Sequence, residues 1–494
     1  MLTLRKRAIR SFCNWCYRTR RRRVTSTLFL VALCTFLLLG STKVHQQGEN
    51  SKTHSISKRD LGLHNTDCAQ PPLPERPSPG ALCIKPNITT RPQKDTFQLV
   101  KGTEIYVFSA YFDPRIPGHF NVRIIGIAPV EDHKVFCLMR MHNGHHYSVP
   151  ANVILTSVDL ELHANFRFKP YIFTCNVSAS WGIPKTISMT THHCIQPSNM
   201  LSIVPISTVP VSRMPNKISI CLRTMHKLKS PYPIIEFMEL QKHLGTSHVF
   251  VYGVEEVSPE VQKTLDYYIK EKSLTVVPWN LPVKNSPVFE EPGDIAIHGQ
   301  HALNNDCVYR SMSDYKMTFM HDMDEFIISR HQNLNNHYQL VDYLDSRYNK
   351  SGKPIASYYF TNCYFCLKKD DYEGPKLFTL NRAIRHECQK KEMEKAWKEN
   401  PNQKHLEGDR KAAKKTLIYP KRVLEFGVHG IIKTMPGYEK ELKTPPFDAQ
   451  MHHYKKPQDI SCSIEDKTLI NKYNGFLKNQ VNSVLKKLDL PAIS

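Results

Sequence analysis

The stretch Lys316-Met-Thr-Phe-Met-His-Asp-Met-Asp-Glu-Phe-Ile-Ile328 runs apolar, places two aspartates one residue apart, adds a glutamate and turns apolar again. If 316 to 321 is a strand, Asp322 and Asp324 follow its end and, at a side-chain period of two, point to the same side. Two carboxylates on one side repel and are costly to bury unless a cation neutralises them. Asp-x-Asp at a strand end therefore reads as a hard-metal site suited to Mg2+ or Mn2+, with oxygen ligands completed by water and phosphate. Its natural ligand is a metal-bound diphosphate. The tripeptide alone equally fits a solvent-facing turn, so its surroundings decide.

Upstream, the chain alternates strand and helix. Lys217 to Arg223 is strand-like, and Pro231 to Leu244 carries apolar residues at 234, 237, 238, 240 and 244, as an amphipathic helix ending at Gly245 would. Then come a strand at His248 to Tyr252, a helix over 258 to 271, a strand at Leu274 to Pro278 and a helix over about 298 to 312. Repeated βα units predict an α/β domain over 213–494 with a mainly parallel sheet flanked by helices. Ligands in such sheets bind beyond the carboxyl ends of the strands.

Before it, residues 100–212 hold short runs rich in Val, Ile, Tyr and Phe, punctuated by Pro, Gly, Asn and His, which predicts a β-rich accessory domain. Its histidine pairs lack metal-ligand spacing and read as surface residues. Residues 42–99 are polar and proline-rich, as in an extended stem. Residues 24–41 form an uncharged, mostly apolar run of about bilayer-spanning length, read as a transmembrane signal anchor.

The formal net charge of +22 is concentrated at one end: residues 1–23 carry nine Arg and Lys and no acid. A basic tail before an apolar run reads as cytoplasmic retention, with the remaining chain lumenal, so nucleic-acid binding is disfavoured. Sequons at Asn87, Asn176 and Asn349 fall on the lumenal side. So do eleven of the fourteen cysteines. Disulfides are expected there, and the odd count leaves one free or paired between chains, which keeps a homodimer open. Cys68 and Cys83 could tie the stem to the folded part or to a second chain. Cys363-x-x-Cys366 with His386-x-Cys388 has no familiar zinc spacing and reads as disulfide-forming.

Several segments in order resemble glycosyltransferase family 92. They are Ile218-Ser-Ile-Cys221, Ile235 to Tyr252, Gly299 to Arg310, His321-Asp-Met-Asp-Glu-Phe326, Tyr419-Pro-Lys-Arg-Val423, Gly427-Val-His-Gly430 and His452-His-Tyr454. The similarity covers about 100 to 460. It implies a GT-A type nucleotide-sugar-binding domain behind a single transmembrane helix, as a type II protein of the Golgi membrane. It further implies Mn2+ as cofactor and inverting transfer of galactose from UDP-galactose to a terminal galactose of glycoprotein N-glycans in β-1,4 linkage. Core fucose is the alternative acceptor. A lectin-like ectodomain without catalysis is the competing class, and a haloacid-type phosphatase is disfavoured because Glu-Phe follows the aspartates.

The same resemblance points to residues. Asp324 is the first choice as metal ligand, with Asp322 ligating too or holding the ribose, and His453 supplying a nitrogen from a distant segment. His429 is a second histidine candidate. Arg223, Glu236, Asn305 and Arg310 are expected at the donor, although Arg310 equally fits a helix-end charge. Inversion requires a carboxylate to take the acceptor's proton. Asp370, Asp371, Glu373 and Glu387 are the candidates for this base, with no choice among them.

Overall fold

The computed structural model describes residues 80–84, 90–155, 166–286, 292–367, 385–388, 415–455 and 464–493, all within the compact unit Pro74–Ser494. The accessory segment is a closed barrel. Its strands are β1 (Tyr106–Ile116), β2 (His119–Pro129), β3 (Phe136–Met141), β4 (His146–Leu155), β5 (Phe168–Val177), β6 (Pro184–Thr190) and β7 (Leu201–Pro205). They hydrogen-bond in the order β4-β3-β6-β7-β1-β2-β5, and β5 pairs back onto β4 to close the ring. Strand β4 closes it by changing partner along its length: residues 146–150 pair with β3 and residues 151–155 with β5. Closure removes the unpaired edges that an open sheet would expose. A disulfide, Cys137–Cys175, joins β3 and β5, the two neighbours of β4. A second, Cys83–Cys194, ties the preceding segment to the barrel.

Alternation along the barrel strands fills two cores. On β2, Val122 and Ile124 belong to the barrel interior, while Ile125 and Ile127 join a second cluster with Trp279, Leu303, Val308 and Tyr309 of the following domain. The barrel wall is thus half of the seam between the two parts. At its centre the fully buried Asp306 accepts hydrogen bonds from Ser109, Tyr111 and Tyr252 and pairs with Arg310.

The second part begins with β8 (Ile218–Leu222), α1 (Tyr232–His243), β9 (Thr246–Tyr252), α2 (Pro259–Lys270), β10 (Leu274–Val277), α3 (Gln300–Ser311) and β11 (Met317–Met320). Strands β10, β9, β8 and β11 lie side by side and parallel. Helix α2 starts where the Ser258 hydroxyl accepts from the Val261 N–H, with Pro259 at its first position. Helix α3 is buried along nearly all its length because it packs between this sheet and the barrel, and Cys307 on it is bonded to Cys221 of β8.

Beyond β11 the parallel pattern stops. The chain continues through β12 (Glu325–Ser329), α4 (His337–Tyr348), β13 (Ser357–Phe360), β14 (Asn362–Cys366), β15 (Lys415–Ile418), β16 (Ala449–Lys455) and α5 (Thr468–Lys487). Strand β15 adds antiparallel to β11, then come β13 and the short strand Leu442–Lys443, making a seven-stranded mixed sheet. A separate five-stranded sheet runs β12-β16-β14 and on through Arg385–Cys388 and Ile464–Glu465.

This architecture corrects the expected one. The chain is β-rich, with a seven-stranded barrel and a second sheet, in place of a helix-flanked, mainly parallel GT-A domain behind a transmembrane helix. The reason lies in the pairing: β15 and β16 come from distant segments and add antiparallel to β11 and β12, so the parallel βα pattern ends at β11. Among the described residues no helix is long and apolar enough to cross a membrane. The apolar run 24–41 lies outside those residues. The single-pass Golgi anchor therefore has no support in the structure and is not carried further.

Candidate active site

Three neighbouring strands each deliver one side chain to the Asp322–Glu325 segment. The parallel register Cys221↔Met320 brings Arg223, two residues past β8, level with Asp322, two residues past β11. Its Nε lies 2.9 Å from Asp322 Oδ1. On the other side, β15 pairs Thr416 with Met320 and so sets Lys415 beside the same loop. Lys415 Nζ lies 3.0 Å from Asp322 Oδ2 and 3.0 Å from Glu325 Oε2. The third is His453 of β16, which the antiparallel register places opposite Glu325. Its Nε2 lies 3.3 Å from Asp324 Oδ2 and its Nδ1 3.5 Å from Glu325 Oε1.

Backbone bonds fix the loop. The Asp322 N–H donates to Glu325 Oε2 at 2.7 Å, the Glu325 N–H to the Asp322 carbonyl, and the Tyr454 N–H to the Asp324 carbonyl at 2.9 Å. Asp324 is the carboxylate left open, with its side chain 46% exposed against 1% for Glu325.

These neighbours pull the charges apart. Burial would raise the Asp322 pKa, but Lys415 and then Arg223 hold its carboxyl well below the usual range. Burial pushes Glu325 up, against the pull of Lys415. Burial opposes the charged form of Lys415, yet Asp322 and Glu325 raise its pKa above that of an ordinary lysine. For His453, burial is outweighed by the Asp324 hydrogen bond and by Glu325, so its pKa rises. The neighbouring His321 is pulled down to about 4, chiefly by burial.

Asp324, Glu325 and His453 each bring one ligand atom to within 4.8 Å of the others. Two carboxylate oxygens and an imidazole nitrogen form a donor set that could hold a divalent metal ion. Asp322 is outside this trio, because its two oxygens face Arg223 and Lys415.

Asp322 and Asp324 line a cleft of about 710 Å³ over the carboxyl ends of β8 and β11, with Glu325 and His453 behind Asp324. One wall is the run from Arg223 to Ser230, which includes His226, Lys227 and Lys229; His298, Met323, Leu367 and Tyr454 complete it. The cleft thus has an acidic floor and a basic wall, which is the polarity a cation-bound diphosphate requires.

Of the sequence-predicted residues, Arg223, Asp322, Asp324 and His453 are brought together here. Three others do not line the cleft. Arg310 lies at the seam, 2.6 Å from Asp95 and 3.0 Å from Asp306. Asn305 binds the backbone of Phe426 through both its amide oxygen and nitrogen. Glu236 is buried on α1. His429 is exposed in the turn between Val423–Phe426 and Ile431–Thr434, outside the trio. Asp370, Asp371 and Glu373 lie outside the described residues, as does the side chain of Glu387, whose backbone pairs with Tyr364. Cys363 and Cys366 are both disulfide-bonded, which removes them as zinc ligands.

Sequence reasoning missed Lys415 and left Glu325 without a definite role. The available signal was a lysine opening an otherwise apolar strand, Lys415-Thr-Leu-Ile418, since a cation in such a position needs a buried carboxylate partner.

This site places an acidic loop at the carboxyl edge of parallel strands facing a basic cleft, the position where sheets of this kind bind their ligands. Residues 216–490 match glycosyltransferase family 92. The chain belongs to that family and is a glycosyltransferase. It is similar to the beta-1,4-galactosyltransferase galt-1 of Caenorhabditis elegans, 24% identical over 416 residues, covering 81% of this chain and 85% of the relative. Among solved structures it is similar to a mycobacterial protein (TM-score 0.23, 11% identity, 56% of this chain and 76% of that one). It is also similar to glucosyl-3-phosphoglycerate synthase from Mycobacterium tuberculosis in complex with phosphoglyceric acid (TM-score 0.24, 10% identity, 58% and 86%). At those scores neither structure bears on the site.

Proposed function

We propose that the chain transfers galactose from UDP-galactose, with inversion, to a terminal galactose of glycoprotein N-glycans in β-1,4 linkage, using Mn2+. The observation that carries this reading is the Asp324, Glu325 and His453 trio, whose Asp324 lines a cleft with a basic opposite wall. The choice of galactose and of the linkage rests on the name of the nematode relative.

In this reading Asp324 and His453 hold the metal, with Glu325 behind them. A divalent cation there supplies Lewis-acid neutralisation of the charge that develops on the diphosphate as the glycosidic bond breaks. Arg223 and Lys415 keep Asp322 ionised and fixed. That leaves Asp322 to orient the donor by accepting hydrogen bonds from its hydroxyls. Lys227 and Lys229 in the cleft wall add charge that attracts the diphosphate. Leu367, Met323 and Tyr454 give the cleft apolar surface that excludes water near the reacting bond. The base that accepts the acceptor hydroxyl's proton is one of Asp370, Asp371, Glu373 and Glu387.

The test is transfer from a panel of UDP-sugars to galactose- and fucose-terminated N-glycans, with Mn2+ and with chelator, and with the product linkage determined. Mn2+-dependent transfer of galactose to terminal galactose is expected, and it should be lost in Asp324→Ala. Transfer to core fucose would move the acceptor assignment. Sugar binding without turnover would overturn the enzyme reading of this site.

A further inference from the structure

One part of the cleft is built with unusual care and has no role in the mechanism above. Ile297, His298 and Gly299 have φ of 44°, 52° and 63°, three consecutive residues in the left-handed region. That conformation costs a non-glycine residue roughly 1–2 kcal/mol, and it is rare for a β-branched residue such as Ile297. Strain of this kind persists only where the surroundings impose it.

Here they do. The His298 N–H donates to Asn285 Oδ1 at 2.6 Å, and its carbonyl accepts from Trp279 Nε1 at 2.8 Å. The Asn285 backbone is itself held in a short parallel pairing, Asn285↔Ile295 and Ser286↔Ala296. That pairing needs Gly293, where a Cβ would come within 2.7 Å of the Ser286 nitrogen. The purpose of the clamp is the ring. With Asn285 Oδ1 accepting from the backbone, its Nδ2 must donate, and it lies 3.0 Å from His298 Nδ1 and 3.4 Å from Nε2. A ring that accepts at the nearer Nδ1 keeps its proton on Nε2. Burial lowers the pKa of His298, opposed by Glu255 and reinforced by Arg223 and His226, which disfavours the charged ring. His298 lines the cleft, so the Nε2–H is the hydrogen-bond donor its ring can offer a ligand there.

Its position says what it faces. Trp279, which anchors His298, follows β10, whereas the acidic loop follows β11. The sheet order is β10-β9-β8-β11, so three strand spacings separate them, about 14 Å at about 4.8 Å each. Arg223 follows β8, between the two. A nucleotide laid along the carboxyl edge with its diphosphate at the acidic loop directs its nucleoside toward β9 and β10. A diphosphate would favour a cation, and a neutral N–H suits a carbonyl oxygen.

We propose that His298, positioned by Asn285, reads the nucleobase of the donor by donating a hydrogen bond from its imidazole N–H to a base carbonyl. The inference rests on the donor-site reading given under the proposed function, and it adds a residue that selects bases with a carbonyl, such as uracil, over adenine, which has none.

The experiment is calorimetric titration of the full chain with UDP, ADP and inorganic pyrophosphate in the presence of Mn2+. His298→Ala is expected to weaken UDP binding about 5- to 10-fold, the scale of one hydrogen bond. It should leave pyrophosphate binding unchanged and narrow the UDP-over-ADP preference. His298→Asn tolerates the left-handed backbone and retains an N–H donor, so it guards against misfolding and should recover part of the UDP affinity. Equal loss of UDP and pyrophosphate binding in His298→Ala, or no loss of either, overturns the assignment. If the unaltered protein binds no UDP, the donor reading itself fails, an outcome distinct from binding that is insensitive to His298.

Discussion

Two groups of buried carboxylates lie within one chain and behave as opposites. At the seam, Asp306 is fully buried and each oxygen is occupied, by Ser109 and Tyr111 on one side and by Tyr252 and Arg310 on the other. At the cleft, Asp322 and Glu325 are similarly held by Lys415 and Arg223, but Asp324 between them is nearly half exposed and faces His453. The first group is closed and serves only to join the barrel to the sheet. The second has the same materials and leaves one carboxylate open. A satisfied buried charge holds structure together, and function requires one that is incompletely satisfied.

The comparison can be broken by substitution. Asp306→Ala should have the largest effect on stability, about 3–5 kcal/mol by urea denaturation, because it leaves two buried tyrosine hydroxyls without their acceptor and takes from Arg310 the more deeply buried of its two carboxylate partners. A loss under 1 kcal/mol would show that the seam does not depend on this residue. Asp324→Ala should do the reverse, lowering kcat by about 10²–10³-fold, the scale of removing a group that stabilises transition-state charge, while leaving the unfolding midpoint nearly unchanged. Full activity in this variant would remove Asp324 from the site. Lys415→Met tests whether the two kinds of cluster grade into one another. It leaves Asp322 and Glu325 together without their shared cation, so it should cost about 3 kcal/mol and impair transfer at the same time.

The smallest effect at neutral pH concerns titration, and it grows as the solution is acidified. His337 on α4 packs against Phe319, and burial pulls its pKa down to about 3. Between about 6.5 and 3 the unfolded chain binds a proton that the folded chain does not. Stability should therefore fall as pH drops through that window, by up to about 1.4 kcal/mol per pH unit from this one group. Replacing it, as in His337→Gln, should flatten the slope of unfolding free energy against pH, and an unchanged slope would count against a buried neutral imidazole.

Much of the second part was legible before the structure. The helices at Tyr232–His243, Pro259–Lys270 and Gln300–Ser311 follow from apolar spacing and end signals that act over a few residues. The acidic loop was legible for the same reason: strand alternation is local, and carboxylates interrupting it stand out. What could not be read was register. Nothing within ten residues of Lys415 or His453 reveals which strand each pairs with, yet those pairings carry both to the loop. Arg310 misled because nearness in sequence to Asp-x-Asp suggested a shared ligand, whereas its helix face turns toward the barrel. Barrel closure was hidden too, since β4 reads as one ordinary strand and only its change of partner makes a ring.

The bond between Cys221 and Cys307 joins positions 86 residues apart, and β9, α2, β10 and the clamp on His298 all lie within that interval. This half of the sheet is consequently a covalent circuit. A protease that cuts the chain once anywhere inside it produces two fragments that travel as one molecule until a reductant is added. Gel mobility with and without thiol should report this directly, and activity surviving such a nick would show that the circuit, more than the continuity of the peptide, holds these strands in place.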